Sequence, residues 1–162
     1  MAGYGDDAGF AAWLTENGYA LPSGAPTVAV LRNRGAGYID AVYGARFSGI
    51  PTGGFEQERS WPRVGAYAYG QPIGDDVVPD AVIKASYAAA WLEASSPGSL
   101  SASGSSASQV KREKVEGAVE VEYQTNSGAW SAFSLVTLLS DVEGLLAPFL
   151  CPVTNWPAIL VV

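Results

Sequence analysis

Residue types that carry covalent or proton-transfer chemistry are sparse in this chain. It contains no histidine. Neither a Ser-His nor a Cys-His nucleophile pair can form, and histidine-based zinc sites fall with them. Cys151 is the single cysteine, so no internal disulfide closes and no thiolate cluster awaits a metal. Among apolar neighbours it reads as a small apolar filler. Two carboxylate pairs remain. Asp75-Asp76 could ligate a hard cation or supply half of an acid–base pair; just ahead of a helix it is read as a capping turn. Glu120 and Glu122 alternate along a strand and read as a solvated face. The stretches "GAGYID" and "GIPTGG" lack the Gly-Lys-Ser/Thr of a phosphate loop. The sequence therefore points away from an enzyme, and no metal or organic cofactor is expected.

What remains is chemistry of binding. In "ERSWPRVGAY", Pro62 fixes its own φ and restricts Trp61 to extended geometry. Trp61 can then bury a large apolar area. Arg63 can fork onto a carboxylate or onto helix C-terminal carbonyls. Trp61, Pro62 and Arg63 read as a structural pin, either within one subunit or at a subunit interface. Lys111, Arg112 and Lys114 form a small basic cluster around Glu113. It reads as a charged strand edge that resists aggregation, or as one side of a charge-matched interface. No charged residue follows Glu143, and the sequence closes on "NWPAILVV". Pro152 and Pro157 argue for an extended tail. Trp156, Pro157, Ile159, Leu160, Val161 and Val162 either tuck into their own domain or add to a partner's sheet edge.

These groups need elements to position them. Asp6-Asp7 can start a helix and Gly18 can end it, with Phe10, Trp13 and Leu14 on one apolar face. A second helix is expected over about 27–43, with Val28, Leu31, Gly35, Tyr38 and Val42 on one stripe. Gly35 and Gly37 there mark either a close approach or a kink. Residues 44–78 read as a long irregular loop. Its aromatics Phe47, Phe55, Trp61, Tyr67 and Tyr69 are costly to expose, which straps the loop onto the helices. Pro79 suits a helix start, and Ile83, Tyr87, Trp91 and Ala94 line one side of the helix that follows. "SSPGSLSASGSSAS" is a Ser/Gly linker. A hairpin is expected at about 110–115 with 118–123, turning at Glu116-Gly117; Val119, Val121 and Tyr123 share one face. Leu135, Leu138, Leu139, Val142, Leu145 and Leu146 fall at helical spacing and predict a last helix stopping before Pro148.

With 48% apolar and only 15% charged residues, against about 25% charged in ordinary domains, part of the surface is expected to be buried in interfaces. The net charge of −7 repels phosphate backbones and disfavours non-specific nucleic-acid binding. The N-terminus has no signal-peptide pattern, and prolines and Asn155 break the apolar C-terminal run. A soluble, cytosolic chain with no membrane partner is expected.

The stretches "YIDAVYGARFSGIPTGGFEQERSWPRVG", "IGDDVVPDAVIKASYAAAWLEA", "VKREKVEGAVEVEY" and "LLAPFL" resemble the head-tail connector (adaptor) proteins of tailed bacteriophages and gene-transfer particles. The resemblance implies a mainly α fold: a small bundle of about four helices with a long irregular loop, a β-hairpin arm and an extended tail. The corresponding segments are a helical core (1–95), a linker (96–108), the arm (109–124), a C-terminal helix completing the bundle (125–150) and the tail (151–162). It implies a ring of copies, typically twelve, on the portal protein of the virion neck after synthesis in the host cytoplasm. The ring would extend the DNA channel and seat a tail-side stopper or tail terminator protein. DNA would be passing cargo only. The arm residues Lys111, Arg112, Lys114, Val119, Val121 and Tyr123 would contact neighbouring copies, and the tail from Trp156 to Val162 would dock into the portal. The alternative is a single-stranded-DNA-binding replication accessory protein.

Overall fold

Two sixteen-residue helices, α2 (Val28–Tyr43) and α3 (Asp80–Ser95), carry the mainly α fold. The computed structural model describes residues 2–101 and 139–151 in full, and the backbone of 113–114 and 120–121. The chain divides into two compact units, one of Met1–Leu100 with Leu138–Val162 and one of Ser101–Thr137.

In the first unit, α1 (Asp7–Glu16) begins where the Asp6 side chain accepts the Gly9 N–H at 2.6 Å, satisfying a donor that the first turn leaves open. Phe10 and Leu14 bury one turn apart against Leu31, Tyr87, Ala90 and Ala94. Helices α2 and α3 meet almost backbone to backbone. A Cβ at Gly35 would lie 2.2 Å from the Ser86 carbonyl oxygen and 2.8 Å from the Ala90 nitrogen. Gly35 thus marks a close approach. Gly37 does not, since the nearest group to its Cβ position is the Arg59 guanidinium at 3.9 Å. The buried face of α2 is broader than the expected stripe: Ile39 and Tyr43 are fully covered, while Val28 and Val42 are only partly buried. Helix α3 buries its small residues Ala85, Ser86, Ala89 and Ala90, and leaves Ile83 and Trp91 half-buried. Alanine faces let neighbouring helices come close, while Val82 and Tyr87 of the same helix are buried as well.

The last helix is shorter than its leucine spacing predicts. Leu139 is extended (φ −100°, ψ 116°), and α4 runs only over Ser140–Leu146, with Val142 and Leu146 buried. Asp141 and Glu143 in its first turn favour a start at this point through the helix dipole. Leu135 and Leu138 lie outside the described residues. Pro148 sits within a 3-10 turn, Ala147–Phe149, that follows directly.

The segment 44–78 contains two short hairpins that its sequence does not announce. Strand β1 (Ile50–Pro51) pairs antiparallel with β2 (Arg63–Val64), and β3 (Tyr67–Ala68) with β4 (Gln71–Pro72). Residues 46–48 also pair with 149–151: Ser48 N–H donates to Phe149 O, and Cys151 N–H to Arg46 O. Trp61 is only 2% exposed and packs edge-on against Phe47 and Phe149, with ring centroids 5.5 and 6.2 Å away. The Trp61–Pro62 peptide is cis. Arg63 meets neither a carboxylate nor a helix end. Its guanidinium donates to four loop carbonyls: Ser48 (2.8 Å), Ser60 (3.0 Å), Phe47 (3.3 Å) and Gly49 (2.6 Å). Burial pulls its pKa down from the ordinary arginine value, but arginine stays protonated in proteins. Not every aromatic of the loop is strapped down. Phe55 is 98% and Tyr69 83% exposed, and Tyr67 projects too, because two-residue strands leave one face uncovered.

In the second unit, β5 (Glu113–Lys114) pairs antiparallel with β6 (Glu120–Val121), Lys114 opposite Glu120. A two-residue turn at Glu116-Gly117 would set Lys114 opposite Val119, one position from the register of the described strands. Lys111, Arg112, Val119 and Tyr123 lie outside the described residues, as do Trp156, Pro157, Ile159, Leu160, Val161 and Val162; Lys114 and Val121 are placed by their backbone alone.

Five substitutions test this packing by denaturant titration. Gly35→Ala should cost about 1–3 kcal/mol through overpacking, whereas Gly37→Ala should stabilise by about 0.5–1 kcal/mol. Trp61→Ala should cost about 3–5 kcal/mol. Arg63→Ala should cost about 1–3 kcal/mol by stranding its carbonyls, and Arg63→Lys should recover only part of that, since an ammonium lacks the planar fork.

Candidate nucleic-acid interface

Helix α1 ends in a turn that places an aromatic ring on α3. Gly18 adopts φ 70°, a left-handed value that glycine takes without penalty. Its N–H bonds to Thr15 O, and the Tyr19 N–H bonds to Leu14 O at 2.8 Å, the paired bonds of a Schellman ending. The reversal lays the Tyr19 ring on Trp91 of α3, with centroids 3.9 Å apart and planes 15° from parallel. Trp13, one position beyond the buried face of α1, stands 5.6 Å from Tyr19 and stacks at 6.3 Å on buried Phe10. The Tyr87 hydroxyl pins α1 to α3 beside this ladder, accepting from Asp6 N–H and donating to Asp6 O at 3.1 Å each. Burial raises the Tyr87 pKa and keeps the donor protonated.

The ladder lines an open groove of about 860 Å³ between α1, α3 and α4, within the usual size of small-ligand sites. Trp13, Tyr19 and Trp91 line it with flat apolar rings, together with Leu92, Leu145 and the exposed Lys84. Glu16 and Asp141 add negative charge to the lining. Lys84 contacts Asp80 one turn earlier at 2.7 Å. That hydrogen bond raises its pKa, so the ammonium is charged at every working pH. The pair is solvent-exposed, and such pairs are weak enough to exchange partners.

The other five cations of this unit are occupied. Arg32 pairs with Asp7, Arg34 with Glu93, Arg46 with Glu143 and Arg59 with Asp40, while Arg63 holds loop carbonyls.

Among the described residues, none of the candidate site residues named from the sequence lines the groove. Trp61, Pro62 and Arg63 sit at the β1–β2 hairpin; Lys111, Arg112, Val119, Tyr123 and the tail are undescribed; Lys114 and Val121 belong to the other unit. Asp75 and Asp76 are exposed in the turn before α3, and no cluster suited to a metal occurs among the described residues. Cys151 is exposed, not an apolar filler, because pairing with Arg46 draws it to the surface. Among the described residues no helix is long and apolar enough to cross a membrane. Trp13 and Trp91 fall on spacings that read as core stripes, and Tyr19 on a loop; the available signal was Gly18, which turns Tyr19 back onto α3.

Residues 3–159 match the family model described as "Putative DnaT-like ssDNA binding protein". No curated protein and no solved structure matches the chain. The family match overturns the head-tail connector resemblance, and with it the portal, the ring of copies, the stopper or tail terminator and the virion neck. The stretches behind that resemblance that fall among the described residues take part in the packing of the first unit. "SWPR" builds the loop clamp, and "VPDA" starts α3.

Tyr19→Ala should cost about 0.5–1.5 kcal/mol, the scale of a stacked aromatic pair. It should also alter the tryptophan fluorescence of the chain, since Tyr19 stacks on Trp91 and stands 5.6 Å from Trp13.

Proposed function

The chain belongs to the DnaT-like single-stranded-DNA-binding family, and on that premise we propose that it is a single-stranded-DNA-binding replication accessory protein whose bases stack in the α1–α3–α4 groove. The observation that carries the reading is the parallel Tyr19–Trp91 pair at 3.9 Å in a groove edged by Lys84. Every base has a π-face, so an aromatic platform takes single strands with little sequence preference. A duplex keeps its bases stacked on one another and offers such a platform nothing. The proposed activity is binding without catalysis.

The charge balance sets how such binding works. A chain of net charge −7 gains little from long-range attraction to phosphate. Within the first unit Lys84 is the cation that faces the groove. Lys111, Arg112 and Lys114 are the remaining cations of the chain and would supply any further phosphate contacts. Stacking therefore supplies most of the affinity, and the acidic composition disfavours electrostatic grip without excluding binding.

Titration with oligo(dT) across a salt series tests this. Four phosphate contacts at most correspond to a log–log salt slope no steeper than about −3. Trp91→Ala should weaken binding about 5- to 150-fold, the worth of one stacked base. Lys84→Ala should make the slope shallower by about 0.7 with a modest loss of affinity. Unchanged affinity in Trp91→Ala, or a slope far steeper than −3, would remove the groove from the binding surface.

A further inference from the structure

Six of the eight large apolar side chains exposed among the described residues fall between positions 50 and 77: Ile50, Phe55, Val64, Tyr67, Tyr69 and Val77. Local bonds hold them around β1. Ile50 and Val64 are directly opposed across the hairpin, and the 3-10 turn Gly54–Glu56 packs on β1. The Ser48 hydroxyl accepts from Tyr67 N–H and donates to Tyr67 O, at 3.0 and 3.1 Å. Thr52 Oγ1 donates to Asp75 O at 2.6 Å, drawing the Asp75-Asp76 turn to the same strand. Beneath lie Trp61 and the Arg63 clamp, so the face is preorganised.

Two of these side chains are exposed at a cost. Tyr69 occupies the first position of the β3–β4 turn with φ 52°, a left-handed conformation that a bulky side chain rarely adopts and that Asn would fill more readily. Phe55 is 98% exposed. An aromatic kept at a hairpin tip against backbone preference points to use, and clustered exposed apolar residues point to an interaction surface.

The charges select the occupant. Glu56, Glu58, Asp75 and Asp76 lie along the same segment, all exposed, and none pairs with a cation among the described residues. Arg59 and Arg63 within the segment, and Arg46 just before it, are already engaged with Asp40, loop carbonyls and Glu143. An apolar face with a free acidic rim repels a phosphate backbone. It also repels its own copy in a two-fold contact, which would set one acidic rim against the other. We infer that the 50–77 face docks a partner protein whose contact surface is apolar and rimmed by lysine and arginine. This surface is separate from the groove, and the inference does not depend on DNA binding there.

The test uses the full chain and three defined probes: an amphipathic Leu/Lys helical peptide, its Leu/Glu counterpart of identical apolar pattern, and oligo(dT). Amide hydrogen exchange locates each. The Leu/Lys peptide should protect 50–77 and bind at least about tenfold more tightly than the Leu/Glu peptide. Phe55→Ser with Tyr69→Ser should abolish that protection while leaving oligo(dT) binding unchanged. Glu56→Gln with Asp75→Asn should narrow the difference between the peptides. Equal binding of the two peptides, or protection outside 50–77, overturns the inference. Protection of 50–77 by oligo(dT) also overturns it and makes the face a nucleic-acid surface.

Discussion

Three arginines satisfy backbone carbonyls that no helix or sheet ladder reaches, and the rest of the fold depends on them. Arg32 of α2 binds the carbonyls of Gly3, Tyr4 and Gly5 along with Asp7. Arg59 joins Ala2 O, the Asn33 side chain and Asp40. Arg63 gathers four carbonyls of its own loop. Buried carbonyls without partners are costly, and the N-terminal residues and the 44–78 segment hold little regular structure. Guanidinium forks, each with five donors, stand in for ladders. Asp40 completes the arrangement. It accepts from the Tyr4 hydroxyl and the Ser60 N–H, and the Tyr4 oxygen in turn accepts from Trp61 N–H. Burial and the adjoining Asp40 carboxylate raise the Tyr4 pKa far above the tyrosine range, so its hydroxyl keeps its proton.

That use of arginine shapes everything the surface can do. Cations spent on internal carbonyls and carboxylates are withdrawn from any partner. The first unit is left with rings, a single loosely paired lysine in its groove and several unpaired carboxylates. Such a surface favours stacking over phosphate attraction. The same balance separates two faces: the groove, walled by Trp13, Tyr19 and Trp91 with Lys84 beside them, and the 50–77 face, apolar with acidic neighbours and no free cation.

Legibility in the sequence followed the range of the forces involved. The three longer helices could be read because their punctuation is local: Asp6 and Gly18 bound α1, and Pro79 opens α3. The mainly α class follows from them. The hairpins of 44–78 could not be read, since strands of two residues carry no period. Leu139 belongs to a helical spacing yet is extended, because first-turn acids at 141 and 143 begin the helix later. The groove was hidden for a related reason. Trp13 and Trp91 share the spacing of core residues, and only a short α4 leaves them half-covered. The Trp61-Pro62-Arg63 stretch was recognisable as a pin, but its acceptors, carbonyls scattered over 47–60, depend on the folded loop. Net charge is a sum over the chain and says nothing of a stacking surface.

The central claim is that single-stranded DNA lies on the Trp13–Tyr19–Trp91 ladder. Ultraviolet crosslinking of oligo(dT) to the full-length chain, with the modified peptides located by mass spectrometry, addresses it most directly. The account predicts adducts on Trp13, Tyr19 or Trp91. Adducts confined to residues 50–77 or 101–137, with the ladder unmodified, would contradict it.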